Sequence, residues 1–129
     1  MSDADADGGV LSAAEVAALR HLLGLSQAQL GGMLEVNPRT VRRWERGRSQ
    51  PSPTAVEALW ELCDRHDALV RFYRRQDLVR VRQAEGWPPR GWFLAAAGRA
   101  LAATPEIRVE WDDPDPDEDE DEDGEEDGD

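Results

Sequence analysis

Residues 24–47 read GLSQAQLGGMLEVNPRTVRRWERG, and two helix starts lie within them. Ser26 is an N-cap serine with Gln29 three residues on, the spacing of a capping box, while Leu25 and Leu30 have the spacing of a hydrophobic staple. Asn37 is a second cap and puts Pro38 at the first helical position, where a missing N–H costs nothing; Val36 and Val41 repeat the staple. Gly24 and Gly47 punctuate the two ends. The stretch therefore predicts helices over Gln27–Leu34 and Pro38–Arg46 with only Glu35, Val36 and the cap Asn37 between them.

The same local grammar extends outward. Ser12 with Glu15 forms another capping box, stapled by Leu11 and Val16, which predicts a helix over Ala13–Leu23. Ser52-Pro53 starts a fourth, running through Val56, Leu59, Trp60 and Cys63. Val16, Leu19, Leu23, Leu30, Leu34, Val41, Trp44, Val56, Leu59 and Trp60 fall on the inward faces. Helices this short are not stable alone, so 10–66 is expected to be one small bundle.

Charge separates the bundle from the ends of the chain. The 129 residues carry a net charge of -13, yet 14 of the 28 carboxylates lie in Asp112–Asp129 and three more are Asp3, Asp5 and Asp7. Val10–Trp111 holds all 15 basic residues against 11 acidic ones, a net +4. A folded part of that sign suits an anionic partner, which the whole-chain charge would have argued against.

The positive charge is concentrated on the helix that begins after Asn37. Arg39, Arg42, Arg43, Arg46 and Arg48 face Glu45 alone within a dozen residues, while Val41 and Trp44 point to the bundle. In a helix-turn-helix unit one helix crosses the DNA backbone and the next aims its first turns at base edges. Here Gln27–Leu34 takes the crossing role and Pro38–Arg46 the reading role. Arg39 and Arg43, four apart, are the expected base-reading pair, with Asn37 and Thr40 beside them and Arg42 reaching a neighbouring base or a phosphate. Arg46, Arg48 and Gln27 are assigned to phosphates, which fix register without reading sequence.

Leu19-Arg20, Gly24-Leu25-Ser26-Gln27, Leu30, Val36-Asn37, Thr40-Val41, Trp44-Glu45, Gly47 and Pro51-Ser52-Pro53 together resemble the phage repressor/Cro (Xre-like) helix-turn-helix family over Leu11–His66. The resemblance implies a mainly α fold, a bundle of short helices of the repressor/Cro type. It implies that Gln27 holds the backbone and braces the reader, and that Arg39 and Arg43 read bases. It makes Arg20 and Glu45 a partly buried ion pair tying the first helix to the third. Two positions depart from the pattern. Glu35 stands where a glycine of positive φ is usual, at a cost of roughly 1 kcal/mol, and Gly31 stands where alanine is preferred, with Gly32 weakening the same helix.

Residues 67–111 are expected to form a small α or α+β extension. Ala68–Gln83 continues as a helix or, at Val79 and Val81 alternating with Arg80 and Arg82, becomes a strand; Gly91–Ala103 reads as an Ala-rich helix; Ile107, Val109 and Trp111 alternate as an edge strand does. Trp87, Trp92, Phe93 and Trp111 are the expected dimer contacts, because the family generally works as a two-fold dimer. Residues 1–9 and the tail 112–129 are expected to be disordered.

Other function classes find little support. Asp119, Asp121, Asp123 and Gly124 imitate a calcium loop but lack its closing Glu and flanking helices. His21, His66 and the lone Cys63 have no ligand spacing, so no metal or cofactor is implied, and no nucleophile, base and orienting acid recur at catalytic spacing. No apolar run suits a membrane span, and a single cysteine fits a reducing cytoplasm. The expectation is a non-enzymatic regulator that binds a double-stranded DNA operator as a homodimer. The alternatives are an antitoxin that also neutralises a toxin, with the acidic tail meeting that or another basic protein, and an acidic decoy that mimics DNA.

Overall fold

The computed structural model describes residues 10–112. The disorder expected for 1–9 and for the tail beyond Asp112 falls outside the described residues. Those described form five helices and two strands, in the order α1 (Ala13–Leu22), α2 (Gln27–Leu34), α3 (Pro38–Glu45), α4 (Pro53–Arg74), β1 (Leu78–Val81), α5 (Arg90–Ala103) and β2 (Arg108–Trp111).

The first four helices begin where side chains replace missing backbone bonds. Ser12 Oγ accepts the Glu15 N–H at 3.1 Å while the Ser12 N–H donates to the Glu15 carboxylate at 2.9 Å. Ser26 and Gln29 repeat the exchange at 3.0 and 2.9 Å. Asn37 Oδ1 takes the Arg39 N–H at 2.8 Å, and Ser52 Oγ takes that of Ala55 at 3.1 Å. Each cap is worth about 1 kcal/mol. The staples close beneath them: Leu11, Val16, Leu25, Leu30 and Val41 are all buried.

Val16, Leu23, Leu30, Val41, Trp44, Val56, Leu59, Leu62 and Cys63 make one core between α1, α2, α3 and the first half of α4. Trp60 is not part of it: the ring is 42% exposed and Leu62 is buried instead. At 100° per residue the buried stripe of α4 centres near Leu59 and Val70, which leaves Trp60 about 100° from the centre and Leu62 about 60°.

α4 does not stop at the bundle. It runs 22 residues without a break, about 33 Å, and its second half carries Val70 and Tyr73 into another core with Val79, Val81, Ala96, Ala97, Ala100 and Ile107. The stretch Ala68–Gln83, readable either way in the sequence, is thus helix to Arg74 and strand from Leu78. β1 and β2 pair in parallel, Leu78 with Arg108 through Val81 with Trp111. A parallel pair needs a crossover between its strands, and α5 is that crossover. Three buried alanines let it lie close to the pair.

His66 joins the two units. Its side chain is wholly buried, with Nε2 2.9 Å from the Trp92 carbonyl oxygen and Nδ1 2.8 Å from Arg99 Nη1. A guanidinium only donates, so Nδ1 accepts and the proton sits on Nε2, which donates to Trp92. Arg99 Nη2 also donates to Asp67 at 2.8 Å. Burial, reinforced by the Arg99 charge and opposed by Trp92 and Asp67, pushes the imidazole below its ordinary value. The neutral ring is the folded form, so its contribution is complete above the unfolded value near 6.5 and is lost as pH falls from there towards the folded value. The urea midpoint should therefore drop on acidification from pH 7 to 5, and His66→Gln should flatten that dependence.

Candidate nucleic-acid interface

The turn between α2 and α3 sets the angle of the cationic helix. Glu35 adopts the left-handed conformation, φ 61° and ψ 42°, so the glycine geometry is kept without the glycine. Val36 N–H donates to Gly31 O at 2.8 Å. A Cβ on Gly31 would lie 2.7 Å from the Val36 carbonyl oxygen, which explains why this position lacks even a methyl group. A Cβ on Gly32 would lie 2.9 Å from Cη2 of Trp87. Gly32, next to the second departure from the family pattern, is thus where the loop after β1 rests on α2.

α3 is anchored from beneath by one ion pair. Arg20 of α1 donates through Nε and Nη2 to the two Glu45 carboxylate oxygens at 2.6 and 2.9 Å, and Nη1 reaches the Leu25 carbonyl at 3.1 Å. Gln27, expected on a phosphate, donates its amide to Glu45 at 3.1 Å and so braces α2 against α3. Burial alone would raise the Glu45 carboxyl; the bonds from Arg20 and Gln27, with the Arg20 charge, outweigh it and hold the group below the usual carboxylate range. Arg20 is raised in return, chiefly by that bond.

This pairing leaves the outer face of α3 with one sign of charge. Glu45 is the only carboxylate between Asn37 and Arg48, and Arg20 neutralises it on the inner side. Val41 and Trp44 are buried, whereas Arg39, Arg42, Arg43, Arg46 and Arg48 are exposed. The five guanidinium side chains line one shallow hollow of about 240 Å³. Among the described residues none of the five has a carboxylate partner, while Arg20, Arg90, Arg99 and Arg108 each do. Asn37 caps the helix at the rim with its Oδ1, and Thr40 is half-buried between Arg39 and Val41.

Residues 13–72 match the family model described as a helix-turn-helix domain. This part of the chain has the helix-turn-helix fold. It takes in α1 to α3 and almost all of α4, just under half of the sequence. A search of the curated proteins finds no match to the chain.

The aromatic set expected at a dimer contact divides. Trp92 is 7% exposed, its ring edge-on to His66 at 4.6 Å, and Phe93 is half-buried between the two cores. Trp87, at 61%, and Trp111, at 42%, remain open to a partner. Trp111 lines a shallow hollow with Val81, Leu94 and Val109.

One feature escaped sequence reasoning. Gly24 and Gly91 meet backbone to backbone: a Cβ on either would lie 2.2 Å from the carbonyl oxygen of the other. Gly24 was read only as a helix stop and Gly91 only as a helix start, because nothing in one dimension links them. Arg71, Arg74, Arg75 and Thr104 form a second basic hollow, with Arg74 Nε donating to Thr104 Oγ1 at 2.8 Å. In the sequence these arginines stand out as part of a second basic stretch, Arg65 to Arg90; the structure adds Thr104 to them. No helix among the described residues is long and apolar enough to cross a membrane.

Proposed function

We propose that the chain is a transcriptional regulator of the repressor/Cro type, cytoplasmic and without a catalytic function of its own, that reads the major groove of double-stranded DNA with α3. The observation that carries this reading is the hollow of five carboxylate-free arginines on the exposed face of a rigidly braced helix. A merely solvated face would gain nothing from the Arg20–Glu45 pair, which removes the one opposing charge from it. Arg39 and Arg43 are assigned to guanine edges, each as a bidentate contact; Asn37, Thr40 and Arg42 complete the base-facing rim; Arg46 and Arg48 hold phosphates. Gln27 acts through Glu45 as a positioning residue.

One reader helix sees half a site, and the exposed apolar groups Trp87, Leu94 and Trp111 supply a surface on which two copies can meet. The preferred form is a homodimer that represses its own synthesis. An antitoxin would use the same operator-binding face, and co-purification with a toxin would separate the two. Selection of bound duplexes from a random pool tests the main reading. Two-fold sequences with half-sites about one helical turn apart are expected; recovery of unrelated sequences would refute base reading.

A further inference from the structure

We infer that the acidic C-terminal segment, residues 113–129, is an intramolecular competitor of nucleic acid for the α3 arginine hollow; this rests on the function proposed above. Three observations lead there. The first is charge. The segment holds 13 carboxylates, seven of them consecutive from Asp117 to Asp123. In an extended chain such a run carries one charge per 3.3–3.6 Å or so, a linear charge density close to the one charge per about 3.4 Å of helix axis that a single DNA strand carries. The complementary surface is Arg39, Arg42, Arg43, Arg46 and Arg48, whose charges no carboxylate of the described residues meets.

The second observation is the point of departure. Asp112 N–H donates to the Val81 carbonyl oxygen at 2.7 Å, which fixes the root of the segment at the end of β1. The chain leaving β1 passes directly to Trp87, resting on Gly32 of α2, and to Gly91, touching Gly24 before α2. Arg90 lies 6.0 Å from the Trp111 ring. The root is therefore on the side of the sheet that faces the helix-turn-helix domain. The other basic hollow, Arg71, Arg74, Arg75 and Thr104, lies at the opposite end of the strands, where Arg108 N–H donates to Asp77 O.

The third is reach. Seventeen residues extend to about 60 Å at most, and a described body of this size has a radius of gyration near 13 Å, so α3 is within range. Tethering raises the local concentration of the carboxylates to the millimolar range. A weak contact of millimolar strength is then populated in the free protein, yet a correct operator, which adds base contacts, displaces it. Random DNA, which offers phosphates alone, competes poorly. The device trades affinity for discrimination.

The test compares the full chain with a full-length variant whose 13 Asp and Glu residues in 113–129 are replaced by Asn and Gln. Side-chain Nε–H resonances of the arginines are recorded without DNA, and affinity for a random duplex is measured from 50 to 200 mM salt. Neutralisation should shift Arg39 and Arg43 while leaving Arg71, Arg74 and Arg75 in place. It should tighten random-duplex binding at least about fivefold at the lowest salt and steepen the salt dependence, since DNA then displaces counterions rather than a tethered anion. Unmoved Arg39 and Arg43 resonances, or shifts confined to Arg71, Arg74 and Arg75, overturn the inference whatever the duplex result. Equal affinities alongside shifted resonances overturn the competition. If neither chain binds any duplex, the proposed function fails on its own account, and shifted resonances would still locate the acidic segment on α3.

Discussion

Arg39→Ala combined with Arg43→Ala should abolish most of the preference for the selected duplex over a random one. Each bidentate guanine contact is worth about 1–3 kcal/mol of discrimination, so removing both should cost at least about thirtyfold in the affinity ratio. Stability should stay within about 0.5 kcal/mol of the parent, because both side chains are exposed and form no ion pair among the described residues. The appropriate contrast is Arg46→Ala with Arg48→Ala. Those substitutions should weaken both duplexes alike and lower the salt slope by about one per residue, as phosphate contacts do. Competition binding against selected and random duplexes separates the two patterns. A double variant at 39 and 43 that remains folded and discriminates as before would remove the basis of the proposed reading mode.

Gly91→Ala should be among the most destabilising single methyl additions in the protein. The new Cβ would lie 2.2 Å from the Gly24 carbonyl oxygen, and backbone on both sides leaves no flexible side chain to yield. Overpacking of this kind costs about 1–3 kcal/mol and sometimes more. Gly24→Ala should be worse, since φ is +74° there and a left-handed alanine adds roughly 1 kcal/mol. Gly98 offers the control. It lies within α5, and an added Cβ meets nothing within 4 Å; Gly98→Ala should raise stability by up to about 1 kcal/mol through helix propensity. Urea midpoints at constant m-value measure all three. Equal midpoints for Gly91→Ala and Gly98→Ala would mean that the contact between the two units carries no energy.

Much of the helix-turn-helix domain was legible because its signals are local. A capping box needs residues three apart, and a staple five apart; Ser12, Ser26 and Asn37 therefore announce α1, α2 and α3 where the structure has them. The cationic arc of α3 is equally local, since Val41 and Trp44 determine which way Arg39 and Arg43 face. The ion pair of Arg20 and Glu45, 25 residues apart, came only through resemblance; no periodicity connects them. The contacts between the two units were out of reach for the same reason, on a larger scale. The parallel pairing of β1 and β2 depends on α5 folding back between them, and the passage of α4 through both cores depends on Val70 and Tyr73 finding partners as far along the chain as Ala96, Ala100 and Ile107. Trp60 misled because four residues from Val56 suits an inward position in a general helix, whereas the stripe that α4 buries drifts the other way.

The uninterrupted course of α4 has a consequence for how a pair of such molecules would measure a target. A single rod begins in the core beneath the cationic helix and ends in the core beneath the sheet, so no break in the helix separates the two units. Copies held together at their sheet ends would present two readers like the jaws of a caliper locked at one opening. Targets lengthened by a single base pair would be met with the second jaw turned away from its groove, and tolerance of spacing would have to come from bending the duplex rather than from the protein.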